Sequence, residues 1–329
     1  MKKPLISLVA LTASVISANA FAASNMENPL YMPKNREVYL KTAAAAMYKT
    51  VEKTEATATK GTDGQTEFPV WRFFGDIGYG ITDRLDVHGH FGYTHDGEID
   101  RKGMHRGRIG LMYRVLTEND PFVLDLYGDA YLSGITPMKG TLKLYGTKPA
   151  FDFDNYSNGR WGAIFGTRFG KTLGDFTLAA HVEYLQTFGN HNNEIAIDPI
   201  LQAMMHLPDE VSVDLKSTHE TVAGFDAMYQ MTKKWSFGAG FEYIERYDNG
   251  VKGVHTKIPS AVEQQLVTQY SSLEDGWDEY VIKTNVAYQM TDDVQFSAFF
   301  EYTLDDAHKK SQNATDSKME FGVRMGARF

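Results

Sequence analysis

Apolar and polar residues alternate with a period of two along most of the chain. From Trp235 to Tyr243, every odd position is apolar or aromatic, and every even position is small or charged. The same alternation runs through residues 176–184, 294–302 and 321–329. Alternation over such lengths predicts β-strands that have one apolar face and one polar face.

The alternating segments and the turn residues between them predict an all-β chain of twelve strands. Short turns and long loops follow each other in succession, which predicts an up-and-down antiparallel meander with every short turn at one end. If the meander closes, it forms a β-barrel. The predicted strands cover residues 37–50, 67–81, 84–95, 103–116, 121–133, 159–171, 175–188, 217–231, 235–247, 277–290, 294–304 and 317–329.

Aromatic residues gather near both ends of the apolar faces, which indicates the solvent that these faces meet. Two aromatic belts are typical of a transmembrane barrel, where amphipathic rings lie at headgroup depth. The polar faces carry charges at mid-strand, which such a barrel holds in a wet lumen. A secreted β-sandwich, which would bury its apolar faces, is the alternative. The predicted girdle comprises Tyr79, Tyr113, Phe169, Tyr229, Trp235, Tyr288 and Phe329 near the short turns, and Trp161, Tyr184, Tyr243 and Tyr302 near the long loops.

The N-terminus has the order of a secretory signal peptide. Lys2 and Lys3 precede an apolar run at residues 4–17, and small residues then form A-x-A sites at 18–20 and 20–22. The run is shorter than the roughly 18 residues of a spanning helix, which favours cleavage over a membrane anchor. The predicted parts are a signal peptide at 1–23, a periplasmic N-terminal extension at 24–36, which could also enter the lumen, and an outer-membrane β-barrel at 37–329.

The last strand ends in an alternating aromatic pattern, formed by Phe321, Val323, Met325, Ala327 and Phe329. This pattern resembles the closing strand of bacterial outer-membrane β-barrel proteins, a porin-like class, and indicates no subfamily. The resemblance implies a place in the outer membrane of a Gram-negative bacterium. It also implies contact with outer-membrane lipid and lipopolysaccharide, and recognition of Phe329 by the barrel assembly machinery.

Composition narrows the possible partners. The 329 residues contain 33 Lys and Arg against 42 Asp and Glu, for a net charge of -9. An acidic chain with no basic run argues against nucleic acid as a partner. The chain contains 43% hydrophobic residues, which argues against disorder, and no cysteine, which excludes disulfides and thiolate metal sites.

The apolar phase of each strand predicts which charged side chains face the lumen. Arginines of strands two to six form one arc of the wall, and glutamates of strands seven to twelve form the opposite arc. Either the arcs set up a transverse field across a narrow pore, or they pair across the lumen and fill it. The predicted pore-lining residues are Arg72, Arg106, Arg108, Arg160, Arg168, Glu183, Glu220, Asp226, Glu242, Glu279, Glu301, Glu320 and Arg324.

Twelve strands lie between the packed eight-stranded barrels and the open 16-stranded porins, so either state is compatible with the strand count. The preferred hypothesis is a narrow porin-like channel for passive passage of small hydrophilic solutes or ions. The alternative is a closed or plugged barrel that acts as a structural or adhesin-type surface protein through its extracellular loops. Helical spacing at residues 199–211 and 259–272 predicts short helices in two of these loops.

An outer-membrane hydrolase is the third hypothesis. Asp86, His88 and His90 face one way in a strand, where they could form an acid–base pair or a metal site. Ordinary hydrogen bonding in the lumen explains the same residues. Because no nucleophile–base–acid set has a suitable placement, the sequence predicts no enzyme, no catalytic or metal site and no cofactor.

Overall fold

A computed structural model gives the fold of the chain. The predicted signal peptide and the greater part of segment 259–272 lie outside the described residues. The structure describes residues 25–51, 64–65, 69–96, 101–135, 139–145, 148–153, 159–189, 193–247, 251–254, 260, 263–264, 277–305 and 315–329.

Twelve antiparallel strands form a closed up-and-down barrel, as the alternation predicts. The wall strands are β1 (Val38–Val51), β3 (Val70–Thr82), β4 (Leu85–Asp96), β5 (Arg101–Leu116), β6 (Val123–Tyr131), β9 (Trp161–Leu173), β10 (Phe176–Phe188), β13 (His219–Gln230), β14 (Trp235–Tyr247), β16 (Trp277–Gln289), β17 (Val294–Asp305) and β18 (Thr315–Arg328). Each wall strand pairs with the next one along the chain, and β18 pairs back to β1 from Tyr39 opposite Arg328 to Lys49 opposite Lys318.

The short connections lie at one end of the barrel, called the turn end, and the long connections lie at the other, called the loop end. The turn between β9 and β10 is formed by Gly174 and Asp175. Gly174 has a φ of +63°, a left-handed conformation that favours glycine because it has no Cβ. Because the number of antiparallel wall strands is even, both ends of the wall, Val38 and Arg328, lie at the turn end.

The outer face of the wall is apolar. Leu111, Phe165 and Phe225 are exposed on this face near the middle of their strands. No described part of the chain packs against them, so an apolar medium such as the lipid around a transmembrane barrel is the environment that suits them. Rings lie at both ends of this face, and Trp235 packs on Tyr288 with centroids 4.8 Å apart. Of the predicted girdle residues, Tyr79, Tyr113, Phe169, Tyr229, Trp235, Phe329, Trp161 and Tyr184 are exposed, and Tyr288, Tyr243 and Tyr302 are half-buried.

The N-terminal segment, which comprises residues 25–33, runs across the lumen at the turn end. Asn25 contacts β13, β14 and β17 on one side, through Gln230, Ser236 and Gln295. Leu30 packs on the opposite side, and the segment is buried except at Glu27 and Pro29, which are half-buried. Of the predicted N-terminal extension at 24–36, residues 25–33 therefore lie within the barrel, and Lys34, Asn35 and Arg36 are exposed at the turn end.

A second sheet of five strands stands at the loop end, built from three of the long connections. Its strands are β7 (Lys139–Tyr145), β8 (Lys148–Phe153), β11 (Asn193–Ile197), β12 (Glu210–Leu215) and β15 (Val251–Val254), and β7 and β11 pair in parallel. The remaining strand, β2 (Gly64–Gln65), pairs with β1. A short helix, α1 (Pro199–Met205), precedes β12, and the Asp198 side chain caps it by accepting from the Ile200 N–H at 2.8 Å.

Segment 199–211 thus contains helix α1 and the first residues of strand β12. Leu207, which lies between them, and Val211, which lies in β12, are both buried. Within the described residues, no helix is long and apolar enough to cross a membrane.

Candidate functional site

A polar network holds the first residue of the N-terminal segment. The Asn25 amide donates to Ser236 Oγ at 2.8 Å and to Gln230 Oε1 at 3.2 Å. Gln295 donates its Nε2 to Asn25 Oδ1 at 2.6 Å and accepts from the Met26 N–H at 2.9 Å. Since these groups are buried, each hydrogen bond compensates a desolvation cost, and the network fixes where the segment begins.

Glu27 is the charged residue of the segment, and it lies against β17 and β18. Its carboxylate accepts from Arg324 Nη1 at 2.7 Å and from Ser297 Oγ at 3.2 Å, with 7% of the side chain exposed. Burial alone would raise the pKa of Glu27, but Arg324 and the nearby Lys41 hold it below its ordinary value. The carboxylate is therefore anionic at neutral pH.

Two arginines hold the middle of the segment through its backbone. Arg114 donates to the Leu30 carbonyl at 2.7 Å, and Arg168 donates to the Tyr31 carbonyl at 3.2 Å. Both guanidinium groups are oriented by the buried carboxylate of Asp125, at 2.8 Å from Arg114 Nε and 2.5 Å from Arg168 Nη2. One carboxylate thus positions two cations that face the segment.

A cluster of charges above the segment joins β4, β5 and β6 to β10. His88 lies 3.0 Å from Asp86 through Nδ1 and 3.0 Å from Asp129 through Nε2. Arg108 donates to Glu183 at 3.0 Å, and its Nε lies 3.6 Å from Asp129 Oδ2. This contact connects the predicted arginine arc with the predicted glutamate arc.

A second cluster joins β10, β13, β14 and β16. His181 lies 3.4 Å from Asp226 and 3.3 Å from Glu242. Lys283 donates to Glu242 at 2.5 Å and lies 3.6 Å from Asp226. The two predicted acids of this cluster are thus compensated by neighbouring cations of the same half of the wall.

Further pairs lie closer to the loop end. Arg246 donates to Glu220 at 2.5 Å and to Glu279 at 2.8 Å. Arg72 pairs with Glu320 across β1, which is a second contact between the two arcs. Arg160 donates to the Lys216 carbonyl at 2.9 Å.

The predicted pore-lining side chains therefore form local pairs, and Arg72 and Arg108 each bind a glutamate of the other arc. Arg106 belongs to β5, but its side chain lies outside the described residues. Glu301, another predicted pore-lining residue, borders a cavity in the lumen. It lies directly opposite Lys283 in the pairing of β16 with β17.

A cavity of about 470 Å³ lies between the N-terminal segment and the wall. Its lining is polar and charged, and it includes Lys41, Arg108, Lys283, Glu301 and Arg324. A lumen lined in this way favours water and small polar molecules over a packed apolar core. The segment forms the boundary of this cavity toward the turn end.

Three lumen histidines, His88, His90 and His181, are held by carboxylates. In His88 and His181, each ring nitrogen faces a carboxylate, and His90 contacts Asp76 at 2.7 Å rather than Asp86. No group of three or more His, Asp or Glu side chains in the described part of the chain has the geometry of a metal site.

Sequence reasoning missed several residues of this site. Among the charged ones are Glu27, Lys41 and Arg246, and the uncharged ones include Asn25, Gln230, Ser236, Gln295 and Ser297. The period of two would have found Arg246, which lies on the same face of β14 as Glu242. Lys41 lies in β1, where alanines on both faces hide the polar phase. No periodic signal marks Glu27, because residues 25–33 belong to no strand.

With this geometry in place, the chain can be compared with solved structures. It is similar to an outer-membrane channel from Pseudomonas putida F1, at 10% identity and a TM-score of 0.56, over 93% of this chain and 99% of that one. The chain has the fold of a bacterial outer-membrane β-barrel. At this identity the likeness shows the fold alone.

Two further structures have lower TM-scores. The translocator domain of the autotransporter NalP from Neisseria meningitidis has a TM-score of 0.42 at 11% identity, over 97% of this chain and 98% of that one. The TodX monoaromatic hydrocarbon channel has a TM-score of 0.44 at 10% identity, over 94% of both chains. No family model matches the chain, and no curated protein matches it.

Proposed function

We propose that the protein is a narrow channel in the outer membrane of a Gram-negative bacterium, for passive passage of small hydrophilic solutes or ions. The predicted signal peptide would direct export, and the turn end would face the periplasm with the loop end outside. The apolar outer face would contact lipid and lipopolysaccharide. The exposed Phe329, which ends the chain beside β1, is the proposed contact for the barrel assembly machinery.

The charged cavity of about 470 Å³ inside the barrel carries this proposal. Ion pairs between the two arcs could fill the lumen of a closed barrel, whereas this lumen holds open volume as well as such pairs. Its volume falls in the range of about 300–1,000 Å³ that is typical of small-molecule sites. A hydrated cavity of this kind supports transient occupancy by a polar solute.

Solute would enter from the loop end, pass the Arg108–Glu183 pair and reach the cavity. The N-terminal segment then obstructs the turn end, so complete passage requires the segment to move. The segment is held by hydrogen bonds, by one ion pair and by the packing of Leu30 on Val123 and Ala179. Water that enters with a solute can replace the polar partners, so the open state is reached at the cost of the apolar contacts. We infer a channel that alternates between a closed state and an open one.

The second candidate is a barrel that stays closed and acts through its loops. The five-stranded sheet at the loop end favours it, because a folded loop surface can present a fixed set of side chains to a partner. We propose no catalytic role, since each ring nitrogen of His88 and His181 is occupied by a carboxylate. We also propose no nucleic-acid partner.

Liposome swelling separates the two candidates. Folded protein is reconstituted into liposomes, and swelling is compared in glycine, a small solute, and in the trisaccharide raffinose. We expect swelling in glycine, and faster swelling in a variant that lacks residues 25–33. Absence of swelling in both proteins, with folding verified by heat-modifiable gel mobility, would favour the closed barrel.

A further inference from the structure

The wall groups that hold Glu27 would form an anion site without it. Among the described residues, Glu27 supplies the one carboxylate within 4.0 Å of the Arg324 guanidinium. No carboxylate in the same described set lies that close to the Lys41 ammonium, which donates to the Met26 carbonyl at 2.5 Å. When the segment leaves, Arg324 loses its carboxylate partner, and Lys41 loses a nearby anion and the Met26 carbonyl that accepts from it.

These groups belong to the rigid wall rather than to the segment. Lys41 lies in β1, Ser297 in β17 and Arg324 in β18, which are neighbours in the closed sheet. The Arg324 guanidinium is also placed over the Phe299 ring, with its Cζ 5.1 Å from the ring centroid. A planar guanidinium held in this way, with a hydroxyl beside it, matches the geometry of a carboxylate.

The same groups border the lumen cavity. Glu27, Lys41, Phe299 and Arg324 all line the volume of about 470 Å³. A solute in the cavity therefore meets the residues that hold Glu27 and can exchange with its carboxylate without crossing another barrier. Asp76 and Glu301 are other acids in this region. Asp76 is engaged by His90 at 2.7 Å, and Glu301 lines the same cavity opposite Lys283 in the register of β16 and β17.

We propose that Arg324, Lys41 and Ser297 bind the carboxylate of a small transported solute, and that Glu27 occupies this site in the closed state. This inference rests on the proposed channel function, whose substrate class it names. Glu27 acts as an internal competitor. A solute carboxylate that takes its place releases the ion pair that holds the segment, so binding favours the open state.

Isothermal titration calorimetry tests the site in detergent-folded protein, with succinate as the probe and succinamide as its uncharged counterpart. We expect Glu27→Gln to bind succinate at least about tenfold more tightly than the wild type, because the competitor is removed. Arg324→Gln, added to Glu27→Gln, should weaken binding at least about tenfold. Succinamide should not bind.

Arg328→Gln is the matched control, since Arg328 lies on the same strand but pairs with Asp293 at the rim. It should leave the affinity of Glu27→Gln unchanged. If Arg324→Gln fails to fold, Lys41→Gln replaces it with the same expected direction. Equal affinity in the wild type and Glu27→Gln, or no loss with either wall variant, would overturn the proposal.

The binding measurement needs no conduction, so it separates this proposal from the channel function. Succinate binding together with a silent segment-deletion variant would refute the channel and leave the site. A conducting deletion variant together with no succinate binding in Glu27→Gln would refute the site and leave the channel.

Discussion

Replacing Asp125 by asparagine should destabilise the barrel far more than the same change at an exposed rim carboxylate. Asp125 is fully buried and accepts from Arg114 at 2.8 and 3.1 Å and from Arg168 at 3.0 and 2.5 Å. An asparagine keeps one acceptor and turns an amide NH₂ group toward guanidinium donors. Arg168 then loses its carboxylate partner, and the buried Arg114 keeps, among the described carboxylates, only the exposed Glu118.

Breaking a buried ion pair by removing one partner costs roughly 3–5 kcal/mol, and we expect a loss in this range for Asp125→Asn. The free energy of unfolding would be measured in guanidinium chloride, on protein folded in lipid vesicles, by tryptophan fluorescence. Asp293→Asn is the control, because Asp293 is 68% exposed in its pair with Arg328 and should lose at most about 1 kcal/mol. Equal, small losses in both variants would refute the reasoning that Asp125 organises the lumen.

Three further predictions follow from other contacts. Gly170→Ala should lower the free energy of unfolding by about 1–3 kcal/mol, because the added Cβ would lie 2.2 Å from the Leu178 carbonyl oxygen. Gly89→Ala should be close to neutral, because the atom nearest to its added Cβ is 3.6 Å away. Arg108→Gln should shift the reversal potential of the open channel toward cation selectivity, because Glu183 loses its partner; an unchanged potential would place Arg108 outside the path. The pKa of Glu27 is held below its ordinary value of 4.5. The ionised carboxylate therefore stabilises the bound segment fully above pH 4.5, and this stabilisation is lost as the pH falls through the lowered pKa. Wild-type conductance should therefore rise only below pH 4.5, and Glu27→Gln should lack that rise.

The strands could be predicted from the sequence because the outer face meets one medium along its whole length. Outward positions are predominantly apolar, so the period of two persists, and every wall strand begins and ends within three residues of its prediction. The long connections carry no such requirement. Five of their short strands pair only with one another, β2 pairs with the end of β1, and local alternation is too brief to show any of them.

The pairing of lumen charges could be predicted only in part. The alternation of apolar and polar residues shows that the side chains of Arg72 and Glu320 face the lumen. It does not show that they contact each other across β1, because that contact depends on the curvature of the wall. The course of the N-terminal segment depends on side chains from distant strands. Asn25 and Gln295, for example, are 270 residues apart in sequence.

Single-channel recording in planar bilayers shows whether a conducting lumen is closed at the turn end by residues 25–33. Wild-type protein and a variant lacking these residues would be folded, verified by heat-modifiable gel mobility, and inserted under identical salt. We expect defined current steps that are larger or longer-lived in the deletion variant. A folded deletion variant that inserts and stays silent, or that conducts no better than the wild type, would contradict this expectation.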